Sequence, residues 1–174
     1  MKNRITPTSV EHSLTRDSFI VSKTDTKGRI TYANRTFMHI AGYSEGELLG
    51  KQHNLVRHPD MPRAVFQLLW DTIKQGQECF AFVKNLAKDG SFYWVFANVT
   101  PDYDEKHRIC GYFSVRRMPN QDALKVIEPI YQEMLAAEKA AGTRDAIAAG
   151  TQVLLSRLQE GNTEYEPFVL GLQG

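Results

Sequence analysis

Three apolar segments rich in aromatic and β-branched residues, Cys79 to Leu86, Phe92 to Val99 and Ile109 to Val115, follow one another with very little between them. A Lys88-Asp89-Gly90 turn separates the first two, and a polar stretch from Asp102 to Arg108 separates the last two. Connections this short cannot make the crossover that parallel strands need, so the segments are predicted to pair as antiparallel hairpins. Upstream, Phe19-Ile20-Val21 and Arg29 to Ala33 flank the turn residues Thr24 to Gly28 and predict another hairpin. Helix signals lie between the two strand groups. Asn34 is placed to cap a short helix carrying Phe37, Ile40 and Ala41 and ending at Gly42. Ser44-Glu45-Gly46-Glu47 reads as a capping box for a second short helix with Leu48 and Leu49, ending at Gly50. A longer helix is expected from near Asp60, with Asp60 as its cap, Pro62 in its first turn and Gly76 beyond its end. Its apolar face would carry Met61, Val65, Leu68, Leu69 and Ile73. The order predicts an α+β fold, a five-stranded antiparallel sheet with short helices on one face.

The chain's 174 residues suit one domain with a helical appendage. We read residues 1–17 as an arm or cap, 18–118 as the domain and 119–174 as a C-terminal helical extension. Residues 120–160 are rich in good helix formers, Pro129 is expected to kink or start a helix, and Gly142-Thr143 divides the segment. Ile147, Val153, Leu154 and Leu158 form an expected apolar stripe, and Phe168-Val169-Leu170 is expected to dock on a partner or on the domain. The net charge of +1, from 21 basic and 20 acidic side chains, gives no electrostatic footprint for nucleic acid or an anionic membrane. Cys79 and Cys110 have no partner at metal-ligand spacing and read as small buried hydrophobes. The N-terminus lacks an apolar signal core, and no apolar run approaches the ~20 residues of a membrane span. The expectation is a soluble, cytoplasmic protein.

Motif-bearing enzyme classes find no support. The chain has no glycine-rich phosphate loop, no zinc-ligand spacing and no Gly-x-Ser-x-Gly nucleophile elbow. What stands out is the run from His53 to Pro62, with two histidines, Asn54, Arg57, Asp60 and two prolines just ahead of a helix. A helix N-terminus beside an arginine fork suits a phosphate or carboxylate. The same residues also suit a plainer role, in which Asp60 caps, Pro59 and Pro62 stiffen the approach, and Arg57 and His58 are solvated. Trp70, Phe92, Tyr93, Trp94 and Phe96 are able to wall a pocket for a flat ring, though strand aromatics commonly fill a core. Asn85 and Asn98 lie in expected strands, where each amide needs hydrogen-bond partners from a ligand or from a neighbouring loop.

The segments Gly28-Arg-Ile-Thr-Tyr-Ala-Asn34 and Gly42-Tyr-Ser-Glu-Gly-Glu-Leu-Leu-Gly50, with the Lys88-Asp-Gly90 turn and Tyr93-Trp94, resemble a PAS domain across roughly residues 18–118. The run His-Asn-Leu-Val-Arg-His-Pro-Asp-Met-Pro at 53–62 is similar to the flavin-binding PAS domain of Aer-type aerotaxis receptors. That similarity continues through Val83-Lys84-Asn85 and Tyr93-Trp94-Val95, and loosely into Val126 to Tyr131. The resemblance implies a PAS fold, non-covalent FAD, and a redox-dependent contact with a signalling module. It makes Arg57, His58 and Asp60 the positions on which FAD binding depends, and extends the site to Asn34, Asn54, Trp70, Asn85, Trp94 and Asn98. Where photoactive flavin domains of the LOV group carry an adduct-forming cysteine, this chain reads Lys51-Gln52-His53-Asn54, so cysteinyl photochemistry is not expected. With no anchor or long coiled coil in its 174 residues, either the sequence is a fragment of a longer chain or the expected partner is a chemoreceptor-type or kinase-type signalling protein in trans, and a homodimer is an option. The alternatives are a haem or small-metabolite sensor, with His39, His53 or His58 as candidate iron ligands, a cofactor-free dimerisation module, and a small flavin reductase.

Overall fold

A computed structural model describes residues 5–174. Two strands, β1 (Ile20–Asp25) and β2 (Ile30–Ala33), precede α1 (Arg35–Ala41), α2 (Glu45–Leu48), a 3-10 turn (His53–Val56) and α3 (Arg63–Lys74). Three strands follow, β3 (Cys79–Leu86), β4 (Phe92–Tyr103) and β5 (Ile109–Arg117), and then α4 (Gln121–Glu160) and α5 (Tyr165–Gln173). All pairings are antiparallel, and the five strands lie in the order β2-β1-β5-β4-β3. The expected α+β architecture and the expected hairpins are present. The polar stretch read as a turn from Asp102 is instead strand as far as Tyr103, because the Asp104 carboxylate helps close a tighter turn by accepting from the Lys106 and Arg108 N–H groups, both at 2.9 Å.

The caps explain the short helices. Asn34 Oδ1 accepts from Phe37 N at 3.0 Å, and Glu47 reaches back to Ser44 N at 3.0 Å. The cap of α3 is a correction. Asp60 does not cap it; the helix starts at Arg63 after Pro62, which has no side-chain acceptor to offer. The Glu138 carboxylate of α4 takes its place, accepting from Arg63 N at 3.0 Å and Ala64 N at 2.9 Å. Asp60 turns outward instead and pairs with Lys84 Nζ at 2.7 Å.

Of the arm, Met1 to Arg4 lie outside the described residues. The remainder runs alongside the β3–β4 turn, with Thr8 N donating to Gly90 O and His12 N to Phe92 O, both at 2.8 Å, and Leu14 buried. Beyond the sheet, α4 continues through Pro129 without breaking, and only Gly142 leaves helical geometry, at φ 74 and ψ 174. That left-handed backbone, which glycine alone adopts freely, folds α4 into a hairpin. Arg157 meets Glu133 at 2.5 Å, and a Cβ on Gly150 would touch Glu138, so the two arms run antiparallel. Phe168 and Val169 dock on the domain itself, with Val169 fully buried and Tyr165 Oη donating to Phe80 O at 2.9 Å, while Leu170 is exposed.

The sheet therefore has two differently covered faces. The 3-10 turn and α3 cover the inner face. On the outer face Phe80, Phe82, Trp94 and Phe96 meet the C-terminal helices: Trp94 stacks on Tyr131 at 6.2 Å, and Tyr131 Oη donates to Phe82 O at 2.7 Å. No helix among the described residues is long and apolar enough to cross a membrane.

Candidate ligand cavity

Alternate residues of a strand face the same side of a sheet. On the inner face this brings Ser22 of β1, Tyr112, Ser114 and Arg116 of β5, Ala97 of β4 and Asn85 of β3 around one cavity of about 370 Å³. Its roof is Asn54 and Arg57 with Phe66 and Trp70 of α3. This size falls within the ~300–1,000 Å³ of small-molecule sites. The roof is tied to the sheet at both ends, by backbone bridges of Arg57 to Asn85 and of Gln52 to Arg29.

The floor carries the electrostatics. Arg116 is only 3% exposed, its Nη2 donates to Ser22 Oγ at 2.5 Å, and its guanidinium lies over the Phe37 ring at 4.5 Å. Its Nε and Nη1 have no hydrogen-bond partner, and it makes no ion pair among the described residues. Burial lowers its pKa to about 10, opposed by the Tyr93 hydroxyl, so it stays charged at neutral pH. A buried charge left this way costs several kcal/mol of effective desolvation, and a ligand offering acceptors or negative charge would offset it. Asn85 Nδ2 and Tyr93 Oη, also on this face, are buried and unpartnered. Ser22 Oγ also meets His53 Nε2 at 3.1 Å, and His53 stacks on Phe37 at 5.7 Å. Burial, and then the Arg116 charge, lower the His53 pKa to about 3, so its ring is neutral.

Of the nine residues proposed from sequence, Asn54, Arg57, Trp70 and Asn85 line this cavity. Arg57 stacks over Phe66 at 4.5 Å and donates from Nη2 to Met61 O at 3.0 Å. His58 and Asp60 stand behind it: His58 Nδ1 accepts from Asp60 N at 3.0 Å, and Asp60 holds Lys84 of the edge strand. Burial is the first cause that lowers the His58 pKa, then the Lys84 charge, against Asp60. Both residues shape the segment that carries Arg57. Asn34, Trp94 and Asn98 are not brought to the cavity. The Asn34 amide is spent on Phe37 N, Val21 N and Phe19 O, Trp94 lies on the outer face, and Asn98 donates to Glu78 at 3.1 Å. His39 is exposed on α1. Among the described residues neither cysteine lines the cavity, and no group of three side chains is arranged to hold a metal. Sequence reasoning missed Arg116 because it ended the last strand at Val115. The alternation Tyr112, Ser114, Arg116 was the signal that places it on the inner face.

The PAS fold family model matches residues 30–116, from β2 to Arg116 itself. The chain is a PAS domain protein. The chain is 42% identical over 123 residues to the aerotaxis receptor of Escherichia coli K12, covering 71% of this chain and 24% of that receptor. It is 33% identical over 100 residues to the nitrogen fixation regulatory protein of Klebsiella pneumoniae, covering 58% of this chain and 20% of that protein. The chain thus spans about a quarter or less of these relatives' lengths. Among solved structures, the dark state of the blue-light photoreceptor Aureochrome1 LOV superposes with a TM-score of 0.54 at 27% identity, covering 63% of this chain and 80% of that one. The protein is a PAS sensor domain homologous to the aerotaxis receptor and to LOV-type sensors.

Proposed function

We propose that this PAS domain holds FAD in the inner-face cavity, senses redox or oxygen status through it, and signals by contact with another protein in energy-taxis or related signalling. The observation that carries the reading is Arg116, a buried guanidinium with two free donor atoms and no ion pair among the described residues, in a cavity that Asn85, Phe66 and Trp70 make suitable for a flat, acceptor-rich ring. The similarity to an aerotaxis receptor supports the same reading. A flavin supplies reversible electron chemistry when bound. The protein's part is to seat the ring, exclude water and place the Arg116 charge and the Asn85 amide beside it. Any change in the ring's charge or proton inventory then changes its contacts with those groups, which is how a ligand biases two conformations. The C-terminal helices are suited to pass that bias on, to a chemoreceptor-type or kinase-type protein in the cytoplasm or to a second copy of this chain. In this role the chain signals and does not catalyse.

The visible spectrum of purified protein, before and after anaerobic dithionite, tests the reading. A flavin spectrum that bleaches on reduction and returns in air is expected. Colourless protein that takes up no FAD on reconstitution overturns it, and a Soret-type band replaces it with a haem reading.

A further inference from the structure

A second groove adjoins the inner cavity at Arg57. It lies between residues 51–63 and the hinge of the α4 hairpin, and Gln52, Asn54, Arg57 and Arg63 line both. The far wall comes from the hairpin, with Glu138, Lys139, Gly142 and Thr143. The charge of this groove is one-sided. Lys51, Arg57, Arg63 and Lys139 face a single carboxylate, Glu138, which is already occupied by the Arg63 and Ala64 N–H groups. Lys51, Arg63 and Lys139 are exposed, and none of them is in an ion pair among the described residues. A cavity for a flat ring beside a groove of unneutralised cations suits a ring carrying a phosphate-rich tail. Glu138 fixes the hairpin at this place, since its buried carboxylate caps α3 while its own backbone belongs to α4.

We propose that the groove takes the diphosphate and second nucleoside of a flavin dinucleotide, with Arg63 and Lys139 as its phosphate-facing cations. The C-terminal hairpin is then part of the cofactor site. The proposal rests on the flavin reading above and goes further, because it separates dinucleotide from ring: riboflavin in the inner cavity reaches the hairpin only at Ile147, whereas FAD extends to the hinge side at Glu138 to Thr143.

Calorimetric titration of the full chain with riboflavin, FAD and ADP tests this, in the wild type and in Lys139→Ala and Lys139→Glu. Lys139 is an exposed helix residue, so both variants are expected to fold. FAD should bind wild type at least about tenfold more tightly than riboflavin, and Lys139→Ala should weaken FAD roughly three- to tenfold. Lys139→Glu should weaken FAD more, and riboflavin should be unaffected by either change. ADP, which has the tail without the ring, should compete with FAD and not with riboflavin. Amide exchange at residues 139–143 should slow with FAD and not with riboflavin. Equal affinities of riboflavin and FAD for wild type, with riboflavin bound, overturn the groove assignment and leave the flavin reading standing. So does an equal loss of both ligands in the Lys139 variants. Failure of riboflavin and FAD alike to bind wild type overturns the flavin reading and the groove assignment with it.

Discussion

The two faces of the sheet use the same strands and reach opposite solutions. On the outer face Phe80, Phe82 and Phe96 pack on one another, and the hydroxyls that approach them are satisfied, Tyr131 by Phe82 O and Tyr165 by Phe80 O. The Trp94 indole N–H is the exception there. On the inner face Asn85 and Arg116 line a cavity, and they and Tyr93 carry buried donor atoms with no hydrogen-bond partner among the described residues. Packing and satisfied hydrogen bonds are what a core needs. Unsatisfied donors around a void oppose folding, and a chain retains them where a ligand completes them. In the proposed reading one face is built for stability and the other for binding, a few ångströms apart through one layer of backbone.

Substitutions should therefore act with different signs on the two faces. Phe82→Ala empties a fully buried outer-face position and should cost about 3–5 kcal/mol by denaturant unfolding of the ligand-free protein. A loss below about 1 kcal/mol would mean that the outer face is not a packed core. Arg116→Leu should do the reverse. Removing an unpaired buried charge should leave the ligand-free protein unchanged or more stable by about 1–4 kcal/mol, and a lowered Tm would break the contrast.

The third effect is set by pH. His53 is held near pKa 3, whereas an unfolded chain takes up that proton below pH ~6.5. Its contribution is fully present above that pH and is lost as pH falls toward about 3, at up to about 1.4 kcal/mol per pH unit. His58, lowered by its own burial, adds to the loss with the same sign. His53→Gln should flatten the acid limb of stability against pH, and an unchanged limb would contradict the burial argument. The smallest effect belongs to Tyr131→Phe, which removes one outer-face hydrogen bond and should cost about 1 kcal/mol without altering ligand uptake.

Much of this architecture was legible in the sequence. Period-two alternation and the Lys88-Asp89-Gly90 turn placed β3 and the hairpins, and Asn34 and Ser44 marked helix starts, because these signals act over a few residues. What escaped reading depends on distant partners. Asp60 has the right chemistry for a cap, but a carboxylate 75 residues away from Arg63 occupies that place. Trp94 and Asn85 are both polar-tipped residues in adjacent strands, and only the register tells which one faces the cavity. Arg116 fell one residue beyond the strand read from the sequence. Its meaning appears only when Ser22 and Phe37 are seen to enclose it, with no carboxylate paired to it among the described residues.

The central claim is that Arg116 is kept for a ligand and not for the fold. Titration of FAD into ligand-free wild type and Arg116→Leu tests it most directly. The account predicts saturable binding by wild type and an affinity lower by about 100-fold in the variant, which stays folded and no less stable. Equal affinities, or no binding by wild type, would contradict it.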